Sequence, residues 1–125
     1  MIQVKRVYER AAPEDGIRVL VDRIWPRGVT KQEARLDMWL KEIAPSTALR
    51  KWFAHDPAKW IDFKKRYAQE LDSHREILAE LAAKAKRSAV TLLFGSKEER
   101  YNNAAALKEY LERRRSPGAK PKRAA

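Results

Sequence analysis

The chain predicts an α/β protein. It reads as a single compact domain with a small, mostly parallel sheet flanked by helices in a Rossmann-like layer, and a helical insertion between the second and third strands. Three observations predict this. Ile17 to Trp25 and Val90 to Phe94 are apolar runs of strand length, and strands apolar on both faces are usually central and parallel. The stretch between them carries helical spacing rather than alternation. A further helical pattern follows the last apolar run, as in layered α/β folds.

The elements follow in order. Gln3 to Glu9 reads as a first strand, with Val4 and Val7. Pro13, Glu14, Asp15 and Gly16 signal a turn. Along Ile17 to Trp25, Val19 and Val21 point one way and Leu20 and Ile24 the other. Thr30 and Glu33 match a capping box. Leu36, Trp39, Leu40 and Ile43 behind it fall at i, i+3, i+4 and i+7, which predicts one amphipathic helix ended by Pro45. Ser46 caps a short helix carrying Leu49, Trp52 and Phe53. Asp56 and Pro57 start a long one lined by Trp60, Phe63, Tyr67 and Leu71. Trp39, Trp52 and Trp60 all fit helical core spacing. Ile77, Leu78, Leu81, Ala82 and Ala85 line the next helix. After Val90 to Phe94, Ser96 and Glu99 form a second capping box for a final helix from Lys97 to Arg113. Three strands make a small sheet, which leaves room for an extra strand or a partner chain.

At 125 residues the chain suits one domain, expected over 1–113. Such a chain buries about two thirds of the surface it exposes unfolded. It has no cysteine, so a disulfide framework, a thiolate nucleophile and a cysteine zinc site are excluded. The opening MIQVKRVYER has no long apolar core of a secretory signal. No stretch approaches the ~20 apolar residues of a membrane span. A cytoplasmic protein with no membrane partner is the expectation.

The net charge is +11. Nearly half of that excess sits in residues 112–125, where Arg113, Arg114, Arg115, Lys120, Lys122 and Arg123 face only Glu112. Residues 114–125, rich in Pro, Ala and Lys, are expected to form a disordered basic tail. Such a tail either serves solubility or adds salt-sensitive affinity for nucleic acid.

Ligands of open α/β sheets bind outside the carboxyl ends of the strands. Those ends are Asp22 to Gly28 and Gly95 to Lys97, and they share one rim if the two strands are parallel neighbours. Each was placed before a helix, whose N-terminal N–H groups favour anions. Arg23, Arg27, Lys31 and Lys97 add positive charge, and arginine grips phosphate or carboxylate with paired hydrogen bonds. The expected ligand is therefore an anion, phosphate-bearing, such as a nucleotide. Asp22 would orient an arginine or a substrate hydroxyl. Gly28 supplies a turn, and Trp25 with Pro26 a packing corner. Ser96 is a cap before it is a nucleophile.

The second candidate segment is RKWFAHDPAKW, residues 50–60. His55 there serves either as general acid or base or as a backbone-bonded junction residue. Ser96, His55 and Asp22 would make a triad only without the usual G-x-S-x-G elbow. Gly95-Ser96-Lys97 is not a Walker A loop. With two histidines and no cysteine, no transition-metal site is expected, and no motif names a cofactor.

RVLVDRIWPRGV, WLKEIAPSTALRKWFAHDPAKW and VTLLFGSKEERYNNAAALKEYL together resemble the small bacterial YeaO-like family, a domain of unknown function 488, over about residues 2–112. The resemblance implies a compact α/β fold and no established reaction. Its characteristic positions correspond to Asp22, Arg23, Trp25, Pro26, Arg27 and Gly28, then to Pro45, Ser46, Arg50, Trp52, Phe53, His55, Asp56 and Pro57. It adds Arg50 and Asn102 to the candidate ligand-binding residues. The chain departs from the family pattern in two places. Asn103 stands where a histidine is common, so any role of that histidine is lost here. Ala54 stands where glycine is usual.

The leading expectation is a binder of an anionic ligand through Arg23, Arg27 and Lys31, with His55 and Asn102 completing the pocket if the helical block folds over the rim. Whether it catalyses anything stays open. The rival readings are a nucleic-acid-associated basic module and a non-catalytic scaffold whose arginines pair with internal carboxylates.

Overall fold

The structure, a computed structural model, describes residues 1–115. Most of the expected basic tail, residues 116–125, lies outside the described residues. The backbone of the last helix runs to Arg115, two residues past the expected end of the domain.

Four parallel strands form one sheet: β1 (Ile2–Arg6), β2 (Ile17–Leu20), β3 (Met38–Trp39) and β4 (Val90–Phe94), in the order β1-β4-β2-β3. β4 is wholly apolar apart from Thr91 and is buried along its length, because it pairs on both edges and is covered on both faces. Val90 lies beside Ile2 on one side and Ile17 on the other. β1 occupies Ile2–Arg6, shorter at its end than the expected Gln3 to Glu9.

β2 is also shorter than its apolar run. After Val21 donates its N–H to Leu93 (3.1 Å), the main chain leaves the ladder. The Asp22 carbonyl accepts the Trp39 indole N–H at 2.7 Å instead of a strand partner. Ile24 is 65% exposed and does not line the second face of the sheet. Trp25 donates its indole N–H to Val29 (2.7 Å), which closes the corner in which Gly28 takes a φ of +79°. That backbone region favours glycine.

The single helix expected from Thr30 to Ile43 is not formed. The capping box is real: Thr30 Oγ accepts from the Glu33 N–H, and Glu33 reaches back to the Thr30 N–H, both at 3.0 Å. The helix it starts, α1 (Lys31–Ala34), then stops at Arg35, which is left-handed at φ 48°. The buried Arg18 guanidinium takes the Ala34 carbonyl through Nε (3.0 Å) and Nη2 (2.7 Å), satisfying an orphan helix-end acceptor. The chain is thereby freed to extend as β3, beside β2, with Trp39 opposite Leu20. β3 is the extra strand for which three strands left room. Trp39 is thus a strand residue, packed edge-on against Trp25 at 5.4 Å.

The next two start signals behave as read. Ser46 caps α2 (Thr47–Phe53), accepting from the Leu49 N–H. Asp56 caps the turn at Pro57 that leads into α3 (Trp60–Leu71). α4 (Arg75–Arg87) follows, then β4 and α5 (Asn103–Arg115). The helices α2 to α5 cover one face of the sheet. There Val19, Leu92 and Phe94 meet Phe53, Phe63, Tyr67, Leu78, Leu81 and Leu107 in the main core. Burial of that apolar area is the dominant favourable contribution to folding.

The opposite face is thinner. Leu20, Leu93, Val7 and Ala34 pack under Trp25 and Trp39. Beside them lies a charged cluster that hydrophobic patterning does not reveal: Asp15 (6% exposed) binds Lys5 and Arg18 (4% exposed). Among the described residues no helix is long and apolar enough to cross a membrane.

Candidate functional site

β2 and β4 are parallel neighbours, so their carboxyl ends do lie on one rim. α2 and the turn after it, residues 54–56, close over that rim. A cleft of about 310 Å³ lies between them, lined by Asp22, Arg23, Arg50, His55, Ser96 and Asn103 around an apolar floor that includes Phe53 and Phe63.

Asp22 is its most constrained member. One carboxylate oxygen accepts the Gly95 N–H (2.8 Å) and the other accepts from Asn103 Nδ2 (3.1 Å). A methyl group at Gly95 would stand 3.1 Å from that carboxylate, a tight contact that would push on Asp22. Burial pushes the Asp22 carboxyl above its ordinary value. Bonds from Asn103 and Gly95, and attraction to Arg50 and His55, offset part of that rise.

The arginines are less committed. Arg23 donates to the carbonyls of Ala44 and Pro45, at 3.3 and 3.4 Å through one nitrogen. Among the described residues no ion pair engages Arg23, Arg27 or Arg50. A guanidinium carries five N–H donors, so Arg23 and Arg50 retain most of theirs for a ligand.

His55 is held by a second loop. Its Nδ1 lies 3.0 Å from the Tyr101 carbonyl, which only accepts, so Nδ1 carries the hydrogen. Glu98 fixes that carbonyl's turn by accepting from the Arg100 and Tyr101 N–H groups. These bonds hold the Glu98 carboxyl below its ordinary value. Ala54 and His55 both take positive φ (47° and 55°), a conformation costly for residues with a Cβ. Such strain persists where surroundings over-determine it.

Of the residues read from the sequence, the structure brings Asp22, Arg23, Arg50, His55 and Ser96 into one cleft. It places five others elsewhere. Arg27 is exposed, its carbonyl accepting from Tyr8. Lys31 is an exposed residue of a four-residue helix. Gly28 lines a separate, more open cleft with Tyr8, Arg10 and Arg35. Lys97 is exposed and outside the lining, and no helix starts there. The expected Ser96 cap is absent: the Ser96 hydroxyl turns to the Glu98 carbonyl. Asn102 does that work, accepting from the Ala105 N–H at 2.8 Å, and it is fully buried. It is therefore a helix cap behind the cleft, not a lining residue. Asn103, singled out only as a departure from a family pattern, is the asparagine that faces Asp22. Its signal was its place after a capping asparagine and before Ala104 to Ala106. Among the described residues no three acidic or histidine side chains converge as metal ligands would.

The fold and rim define a class: a small single-domain, parallel-sheet α/β protein with a cationic cleft at its strand ends. The chain belongs to the family whose model is described as the inactive DUF488-N3 subclade, matched over residues 1–123. It is 44% identical over 110 residues to the uncharacterized protein YeaO of Escherichia coli K12, covering 88% of this chain and 96% of that protein. It is 42% identical over 113 residues to the uncharacterized proteins Mb3100c of Mycobacterium bovis and Rv3073c of Mycobacterium tuberculosis, covering 90% of this chain and 95% of each. No solved structure matches it.

Proposed function

We propose that this protein binds a small anionic, phosphate-bearing ligand in the rim cleft, through Arg23 and Arg50, as a binding site without turnover. The observation that supports this best is a pair of arginines that form no direct ion pair among the described residues, in a cleft with an apolar floor. A guanidinium in such a place favours an anion with several acceptor oxygens. Arg27, Lys31 and Lys97, assigned to the anion from sequence, are not part of this reading.

One observation favours binding over catalysis: the matching family model is itself described as an inactive subclade. The test is isothermal titration of the full chain with inorganic phosphate. A single saturable site is expected, weakened about 10-fold or more by Arg50→Ala, since a charge-assisted hydrogen bond is worth about 1.5–3 kcal/mol. Absence of saturable binding, or wild-type affinity in both Arg50→Ala and Arg23→Ala, would remove the proposal.

A further inference from the structure

Building on that reading, we infer that the ligand is a sugar phosphate: a phosphate for the arginines joined to a hydroxyl for Asp22. The inference starts from an apparent contradiction. A half-buried carboxylate stands in the same cleft as Arg23 and Arg50, where it repels a bare anion. Arg50 attracts it, but among the described residues no arginine forms a direct ion pair with it. Its protein partners are two N–H donors, one on each oxygen. A carboxylate accepts about four hydrogen bonds, so about half of its capacity is free.

A ligand must bring a donor to use that capacity. Charge selects which donor. An ammonium would satisfy Asp22 but would lie in one cleft with Arg23 and Arg50. A hydroxyl donates without adding positive charge. Ser96 and the second His55 nitrogen offer further hydroxyl partners, the latter as an acceptor because Nδ1 holds the hydrogen. The apolar floor at Phe53 and Phe63 suits the C–H face of a sugar ring, as pockets with a few fixed polar groups on apolar walls generally do. Free sugar phosphates and nucleoside monophosphates share this ribosyl phosphate chemistry.

The experiment titrates the full-length wild-type protein with methyl phosphate, O-phosphoethanolamine, ribose 5-phosphate and adenosine 5′-monophosphate. Ribose 5-phosphate is expected to bind at least ~10-fold more tightly than methyl phosphate, the worth of about one hydrogen bond to a charged group. Tighter binding of adenosine 5′-monophosphate than of ribose 5-phosphate supports the inference and assigns the nucleotide as source. Weaker binding that still exceeds methyl phosphate supports it and assigns the free sugar phosphate. Asp22→Ala should bring ribose 5-phosphate and methyl phosphate within about 3-fold of each other; the wild-type series decides the matter if that variant does not fold. Equal binding of methyl phosphate and ribose 5-phosphate by the wild type would overturn the inference and leave the anion site standing. So would preference for O-phosphoethanolamine. No binding of any of the four would overturn both.

Discussion

Asp22 and Asn103 are 81 residues apart in the chain, and their side chains meet at 3.1 Å across the mouth of the strand-end cleft. The same Asn103 nitrogen also donates to the Val21 carbonyl at 3.0 Å. One amide thus ties the end of β2 to the start of α5 and supports a carboxylate that burial disfavours. Asn103→Ala should raise the Asp22 carboxyl further above its ordinary value, because a bond that favours the charged form is lost. The sign for stability follows. Asp22 titrates higher folded than unfolded, so its ionisation weakens the fold as pH rises through the folded value. That loss should be larger in Asn103→Ala. Carbon-13 titration of the Asp22 carboxyl, with denaturant unfolding at several pH values, reads both effects.

Asp15 titrates in the opposite sense. Burial alone would raise it, but the Ala12 N–H, Lys5 and Arg18 together outweigh that and hold it below its ordinary value. It therefore contributes stability at neutral pH that is lost as pH falls through its folded value. Asp15→Asn should flatten the acid limb of the stability curve. It should also cost about 3 kcal/mol at neutral pH, since Arg18 would keep a buried charge without its partner. Urea unfolding from pH 3 to pH 7 checks this.

Ala54 ends α2 in the left-handed region at φ 47°. Relief of its Cβ is worth about 1–2 kcal/mol, and the greater unfolded freedom of glycine takes back about 0.5–1 kcal/mol. Ala54→Gly should therefore stabilise the protein by roughly 0.5–1 kcal/mol. Thermal and urea unfolding should show a higher midpoint with an unchanged denaturant slope.

Much of this fold was legible because local chemistry and burial agreed. Val90 to Phe94 is apolar on both faces and is the central strand. Ser46 and Asp56 announce their turns with caps that form as read. Legibility failed where a distant side chain decided the outcome. Leu36, Trp39, Leu40 and Ile43 fit a helix, but Arg18 takes the carbonyl at Ala34 and the chain becomes β3. The buried Arg18–Asp15 pair is itself invisible to periodicity. In the cleft, Asp22, Arg23 and Ser96 were found because strand ends are predictable from apolar runs. Arg27 and Lys31 enter the expectation for their charge, but Arg27 lies within the corner closed by Trp25 and Val29 and Lys31 beyond it, and neither lines the cleft. Asn103 is not among the expected site residues because the Ser96 and Glu99 box puts the helix start at Lys97, whereas α5 begins at Asn103 behind the Asn102 cap.

The central claim is that the rim cleft, and not the basic surface at large, holds an anion. Amide NMR of the full chain titrated with inorganic phosphate tests it most directly. Saturable shifts are expected at Arg50, His55, Gly95, Ser96 and Asn103, reduced at least ~10-fold in affinity by Arg50→Ala. Non-saturating shifts spread over the exposed lysines of α3 and α4, unchanged in that variant, would contradict the account.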